Sequence, residues 1–131
     1  MMYVLDTNTL IFFFKGVGNV PQRLLATPPI EIGIPTVVVY ELKVGIIKSG
    51  ASPKRKEQLE RFLSVIEVLP FGYREAVVAA DIRAELEQNG TMIGPYDVLI
   101  AATAMAGQHT LVTHNTKEFA RIEGLLLEDW F

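Results

Sequence analysis

Four of the fifteen acidic side chains stand among apolar residues or at the ends of apolar runs. Asp6 closes the run Tyr3-Val4-Leu5 and is followed by Thr7-Asn8-Thr9 and then "LIFFF". Glu41 lies inside "VVVYELKVGI", Asp97 opens an apolar stretch after "IGPY", and Glu118 lies in "THNTKEF", just past Leu111 to Thr113. An ionised carboxylate in such company loses hydration and needs a partner to offset the loss. Glu57, Glu60, Glu75, Glu85 and Glu87 fall instead on charged helix faces, where they are expected to be solvated by water.

Each of the four has a plain structural explanation. Asp6 could cap the following helix through the amides of Asn8 or Thr9. Asp97 could favour the positive end of its helix, worth roughly 0.3–1 kcal/mol. Glu41 could pair with Lys43 or Lys48, and Glu118 could be a surface residue of a short turn. Taken together these explanations weaken, because three of the acids are expected at strand or helix ends facing one sheet edge. Carboxylates gathered there repel one another unless a multivalent cation lies between them. Hard oxygen ligands without cysteine or several histidines point to Mg²⁺ or Mn²⁺, not zinc. Such a set suits metal-assisted phosphodiester hydrolysis.

The elements that must position these acids follow from the local pattern. Tyr3–Leu5 reads as a buried strand, Thr9 to Lys15 and Val20 to Ala26 as helices, the second with Asn19 as its cap and Pro21 in its first turn. Ile30 to Ile34 is a strand candidate, and Thr36 could cap a helix to about Lys48 despite the β-branched "TVVVY". Ser52-Pro53 starts a further helix over "KRKEQLERFLSVI". Glu67 to Phe71 reads as a strand, and "YREAVVAADIRAELEQNG" as an amphipathic helix ending at Gly90. Ala76, Val77, Ala80, Ile82, Ala84 and Leu86 are available to its buried side. "YDVLIAATAMAG" is apolar enough to be a helix inside the fold. "HTLVTHN" is the next strand, Thr116 to Phe119 a short helix and "LLLEDW" an edge strand. Strands alternating with helices argue an α/β sandwich around a mostly parallel sheet. Ligands in such folds bind beyond the carboxyl ends of the strands, and Asp6 sits just past the first one.

The 131 residues are expected to form one domain, 1–131, with half of them hydrophobic and a net charge of −3. With no cysteine there is no disulfide framework and no thiolate nucleophile or ligand. No signal peptide or membrane-length apolar run is evident, so a cytoplasmic location is expected and membrane association is not. The negative balance argues weakly against nucleic-acid binding by counter-charge alone, but bound cations would supply positive potential where a phosphate docks.

"YVLDTNTLI", "YELKVGI", "IGPYDVLIAATA", "LVTHNTKEFARIEGL" and "LEDW", in this order and spacing, resemble the PIN-domain family, and within it the VapC toxins of bacterial toxin–antitoxin pairs. The resemblance spans essentially the whole chain. It implies a three-layer α/β fold with a central parallel sheet, Mg²⁺ or Mn²⁺ dependence, and endoribonuclease activity on structured RNA, often tRNA. It also implies silencing by a VapB antitoxin and a homodimer. Carried over by position, Asp6, Glu41 and Asp97 match the family's acidic triad, and Glu118 an additional, more variable acidic position. Asp6 and Asp97 would be the main metal ligands. Glu41 would ligate or orient the attacking water, and Glu118 would help to bind a second, weaker metal. Thr7, Asn8, Thr113 and Asn115 fall where the family places orienting polar groups. His114 stands where relatives often carry Asn, as a neutral replacement or a phosphate contact.

Beyond the acids, Lys54, Arg55, Lys56 and Arg61 form either a phosphate-positioning patch or a solvated helix face. Phe12, Phe13 and Phe14 cannot all point inward from one helix, so at least one should face a groove or another chain. Two other functions use similar parts. A phosphoacceptor receiver domain needs an aspartate after the third strand and a lysine after a later one, where this chain has Pro70-Phe71 and Thr113-His114. A catalytically inactive PIN-like binding module or a DNA-directed nuclease would keep the same fold.

Overall fold

The computed structural model describes all 131 residues. Its strands are β1 (Tyr3–Leu5), β2 (Ile32–Pro35), β3 (Glu67–Leu69), β4 (Thr110–Val112) and β5 (Leu126–Glu128). Its helices are α1 (Thr7–Lys15), α2 (Val20–Leu25), α3 (Thr36–Lys48), α4 (Pro53–Leu63), α5 (Tyr73–Asn89), α6 (Pro95–Ala106) and α7 (Thr116–Phe119). A 3₁₀ turn, Pro29–Glu31, occupies the start of the strand expected from Ile30. β1 has the expected extent, while β3, β4 and β5 are shorter than the stretches expected of them.

All pairings are parallel, in the order β3-β2-β1-β4-β5. Val4 aligns with Gly33 on one side and Leu111 on the other, so β1 is the central strand. Val4, Leu5, Ile34, Leu111 and Val112 are wholly buried, as expected of strands covered by helices on both faces. The chain moves outward to β2 and β3 on one side of β1, and to β4 and β5 on the other. The topological switch point therefore lies beyond the ends of β1 and β4, where a ligand crevice is expected.

The apolar α6 is an inner helix: Val98, Ile100, Ala101, Ala102 and Ala104 are buried, and the small side chains let it pack closely on α5. Its neighbour corrects an expectation. Helix α5 buries Glu75, Ala79, Ile82 and Leu86, while Ala76, Val77, Ala80 and Ala84 lie exposed. The helix carries apolar residues on two faces, and periodicity alone does not choose between them. Two expected caps also differ. Thr36 is the first helical residue after Pro35, and its hydroxyl donates to the Leu69 carbonyl across to β3. Asn19 is the N-cap residue of α2 as expected, but its side chain makes no cap bond and its amide donates to the Phe131 carbonyl instead. Ser52 does cap α4, accepting from the Arg55 amide.

Candidate active site

Asp6 follows β1 directly and is the N-cap of α1, its Oδ1 accepting from the Thr9 amide at 2.9 Å. Its Oδ2 accepts from the Thr113 hydroxyl at 2.6 Å. Thr113, which follows β4, is wholly buried, and the Asp6 amide donates to the Val112 carbonyl. The first turn of α1 and the end of β4 thus hold this carboxylate from both sides. Burial pushes the Asp6 carboxyl above its ordinary pKa, bonds from Thr113 and Thr9 pull against that, and the charge of Asp129 adds to the rise.

Glu41 projects from α3, and its Oε1 accepts from the Thr7 hydroxyl at 2.6 Å. That bond ties α3 to the first turn of α1. The expected ion pair with Lys43 or Lys48 does not form, since Lys43 pairs with Glu60. Asp97 is in the first turn of α6, and Gly94 before it keeps the backbone close: a Cβ there would stand 3.4 Å from Asp97 Oδ2. Glu118 on α7 accepts from the Asn115 side-chain amide, which fixes it beside the end of β4.

Three of the acids act on the fourth. Asp97 is pushed up to about 6, first by desolvation and then by the charges of Asp6, Glu118 and Glu41. A helix N-terminus would by itself lower the pKa, so repulsion and burial outweigh the dipole here. No basic side chain relieves the repulsion. The ion pairs of the molecule are Arg23–Glu128, Lys43–Glu60, Arg61–Glu57, Arg74–Glu75, Arg83–Glu87 and His114–Asp129, and none reaches the four acids.

No three of the molecule's acidic or histidine side chains converge closely enough to share one ion directly. Asp6, Glu41 and Glu118 each spend an oxygen on a neighbouring side chain, which holds them apart. Magnesium needs only one or two direct carboxylates and keeps several waters, so wider spacing suits it better than a dehydrated cage would. The donor set is oxygen throughout, and its uncompensated negative charge fits a divalent cation.

Of the expected polar helpers, Thr7 and Thr113 bind acids directly, Asn115 binds Glu118, and Asn8 is exposed. His114 is not free: Nδ1 lies 3.0 Å from Asp129 Oδ2, and its ring stacks on Phe131 with centroids 4.2 Å apart. Burial opposes ionisation of Asp129, but bonds from the Phe131 amide and His114 hold its carboxyl below the ordinary value. Asp129 escaped notice in the sequence because "LEDW" reads only as a strand end.

Phe12, Phe13 and Phe14 are all half-buried by the chain itself. Phe12 meets Phe131, and Phe13 and Phe14 meet Phe62 of α4. Phe14 still lines a groove of about 290 Å³ between α1, α3 and α4, together with Ile11, Glu41, Ile46, Arg55 and Leu59. Of the basic run on α4, Arg55 therefore reaches the groove beside Glu41, while Arg61 pairs with Glu57.

The PIN domain profile matches residues 3–125. Ribonuclease VapC2 of Rickettsia felis is 39% identical over 99% of this chain and 98% of its own length. The tRNA(fMet)-specific endonuclease VapC of Salmonella typhimurium is 36% identical over the same shares. Among solved structures, VapBC2 from Rickettsia felis bound to a promoter DNA fragment superposes with a TM-score of 0.91 at 36% identity, covering both chains completely. DNA-bound VapBC from Salmonella typhimurium gives 0.92 at 36% identity, covering all of this chain and 99% of that one. Family profile, full-length relatives and superposed folds agree with one another: the chain belongs to the PIN domain family, among its VapC ribonucleases.

Proposed function

We propose that this chain is the toxin of a VapBC-type pair, an endoribonuclease that hydrolyses RNA, plausibly tRNA, with Mg²⁺ or in its place Mn²⁺. One observation carries the reading: at the switch point the charges of Asp6, Glu118 and Glu41 add to desolvation in raising the proton affinity of Asp97, and none of the four acids is in an ion pair. Asp6 and Asp97 would hold the ion, and Glu118 a second, weaker one. A bound divalent ion supplies a nucleophile from water at neutral pH and offsets charge on the phosphate.

The chain's own groups do the rest. Thr113 and the Thr9 amide fix both oxygens of Asp6, so the carboxylate needs little reorganisation when it is used. Thr7 holds one oxygen of Glu41, leaving the other to orient the attacking water and accept its proton. Asp97, near half-protonated at pH 6, must lose its proton to serve as a ligand, so activity should rise with pH up to about neutrality. In-line attack on the phosphodiester would leave a 3′-hydroxyl and a 5′-phosphate.

The groove between α1, α3 and α4 is the place for an amphipathic segment of a VapB-type antitoxin, which would cover Glu41 while burying Ile11 and Phe14. A homodimer is part of the same reading, as is action in the cytoplasm, where RNA is available. No helix is long and apolar enough to cross a membrane.

The test is cleavage of tRNA and of single-stranded DNA by purified protein, with chelator and after Mg²⁺ is restored. RNA cleavage that stops in chelator and returns with Mg²⁺ supports the reading. Undiminished cleavage in chelator would overturn the metal chemistry, and preference for DNA would overturn the substrate class. An Asp97→Asn protein as active as the native one would remove these acids from the mechanism.

A further inference from the structure

We propose that Tyr40 and Tyr96 form a stacking platform for a nucleobase of the RNA next to the scissile phosphate. The proposal rests on the reading of the site as a ribonuclease centre. Each tyrosine immediately precedes a site acid, Tyr40 before Glu41 on α3 and Tyr96 before Asp97 on α6. Consecutive helical residues point about 100° apart, so each ring flanks the crevice that its neighbour enters. The two rings meet with centroids 5.6 Å apart and planes at 69°, and their hydroxyls lie 3.3 Å from each other.

These rings are nonetheless open to solvent, Tyr40 at 53% and Tyr96 at 43% exposure. A tyrosine pair that served only to pack α3 on α6 would be covered. Their hydroxyls largely satisfy each other, which pins both side chains in one arrangement before any ligand arrives and lowers the entropy cost of binding. An aromatic face brings no charge to repel a nucleic acid.

The charge balance says why stacking is needed here. With a net charge of −3 and acids at the centre, the chain gains little RNA affinity from counter-charge. Stacking on an aromatic ring does not depend on charge and is worth roughly 5- to 150-fold in binding per base. RNA recognition by sequence commonly takes unpaired, splayed-out bases onto such rings.

The experiment measures kcat and KM on one RNA that the native protein cuts, for Tyr40→Phe, Tyr40→Leu, Tyr96→Phe and Tyr96→Leu. Melting temperature and sedimentation are recorded for each. The phenylalanine proteins should stay within about threefold of native, while the leucine proteins lose roughly tenfold or more in kcat/KM, mainly through KM. Single abasic nucleotides are then placed in turn on both sides of the cut. One of them should weaken the native protein and have no further effect on Tyr96→Leu, since the base that stacks is already missing. Leucine proteins equal to native would overturn the platform, as would phenylalanine proteins that fall with leucine, or a change in sedimentation that explains the loss. So would the absence of any abasic position that couples to a tyrosine. A native protein that cuts no RNA would overturn the ribonuclease reading itself, a result distinct from these.

Discussion

Asp6 combines two duties that substitutions can separate. Its Oδ1 caps α1 and its Oδ2 receives the Thr113 hydroxyl, so Asp6→Ala removes a cap and leaves a buried donor without its acceptor. Asp6→Asn keeps an oxygen for the Thr9 amide, and the hydroxyl can turn to accept from the new amide. Chemical denaturation in chelator should find the asparagine protein more stable than the alanine protein by about 1–2 kcal/mol. Both should be inactive. Asp97 behaves differently, because nothing donates to it and three acids oppose its charge. Its folded-state pKa is raised, so the native state binds a proton that the unfolded chain releases. In chelator, stability should therefore fall as pH rises from about 4 to about 6 and level off above that, Asp97 being at about 6. Asp97→Asn should flatten that fall and be more stable at pH 7 by about 1 kcal/mol, after allowing for solvent screening of a partly exposed group. Loss of a helix-end charge would oppose this by less. Melting curves against pH decide it, and a less stable Asp97→Asn protein would mean that the carboxylate holds the fold together.

Among the elements, the site depends on how α1, α3 and α6 are held. The Thr7–Glu41 bond joins α1 to α3, so Thr7→Val should release Glu41 with a small loss of stability, about 1 kcal/mol. Cleavage should suffer more than the melting temperature does. If kcat is unchanged by Thr7→Val, Glu41 does not need that tether. Helix α6, which packs on α5, carries Asp97 one turn before the buried Ile100 and Ala101. Ala101→Leu should cost about 1–3 kcal/mol through overpacking, and shift Asp97 with it. Unfolding in urea would show a lower midpoint with an unchanged slope.

At the scale of the whole molecule, two features look outward. The groove beside Glu41 is one, and the exposed stripe of α5, from Tyr73 through Val77 to Ala84, is the other. Residues at those intervals share a helix face, which is a suitable surface for a second copy of the chain. Sedimentation should find a dimer for the native protein and a monomer for Val77→Lys, with melting of the monomer little changed. A native monomer at micromolar concentration would end that assignment. A bound divalent ion would act on the molecule as a whole as well. Mg²⁺ at about a hundred times its dissociation constant should stabilise the native fold by about 2.7 kcal/mol, and far less in Asp97→Asn.

Composition and pattern alone determined the α/β class, the parallel sheet and the standing of Asp6, Glu41, Asp97 and Glu118 as acids in need of a partner. That much is legible because a carboxylate beside an apolar run is costly wherever the chain goes. The order of the motifs pointed to the family without any geometry. Tertiary structure decided what depends on distance. It chose Glu75, Ala79, Ile82 and Leu86 as the buried face of α5 over the adjacent alanines, since only packing against α6 separates two apolar faces. It turned the side chains of Thr36 and Asn19 into links across the fold, because a hydroxyl or amide takes whichever acceptor lies nearest. It joined His114 to Asp129, which are 15 residues apart in sequence, and set Tyr40 against Tyr96, which are 56 apart. Local patterns carry no information about partners that distant, so only the folded sheet and its helices bring them together.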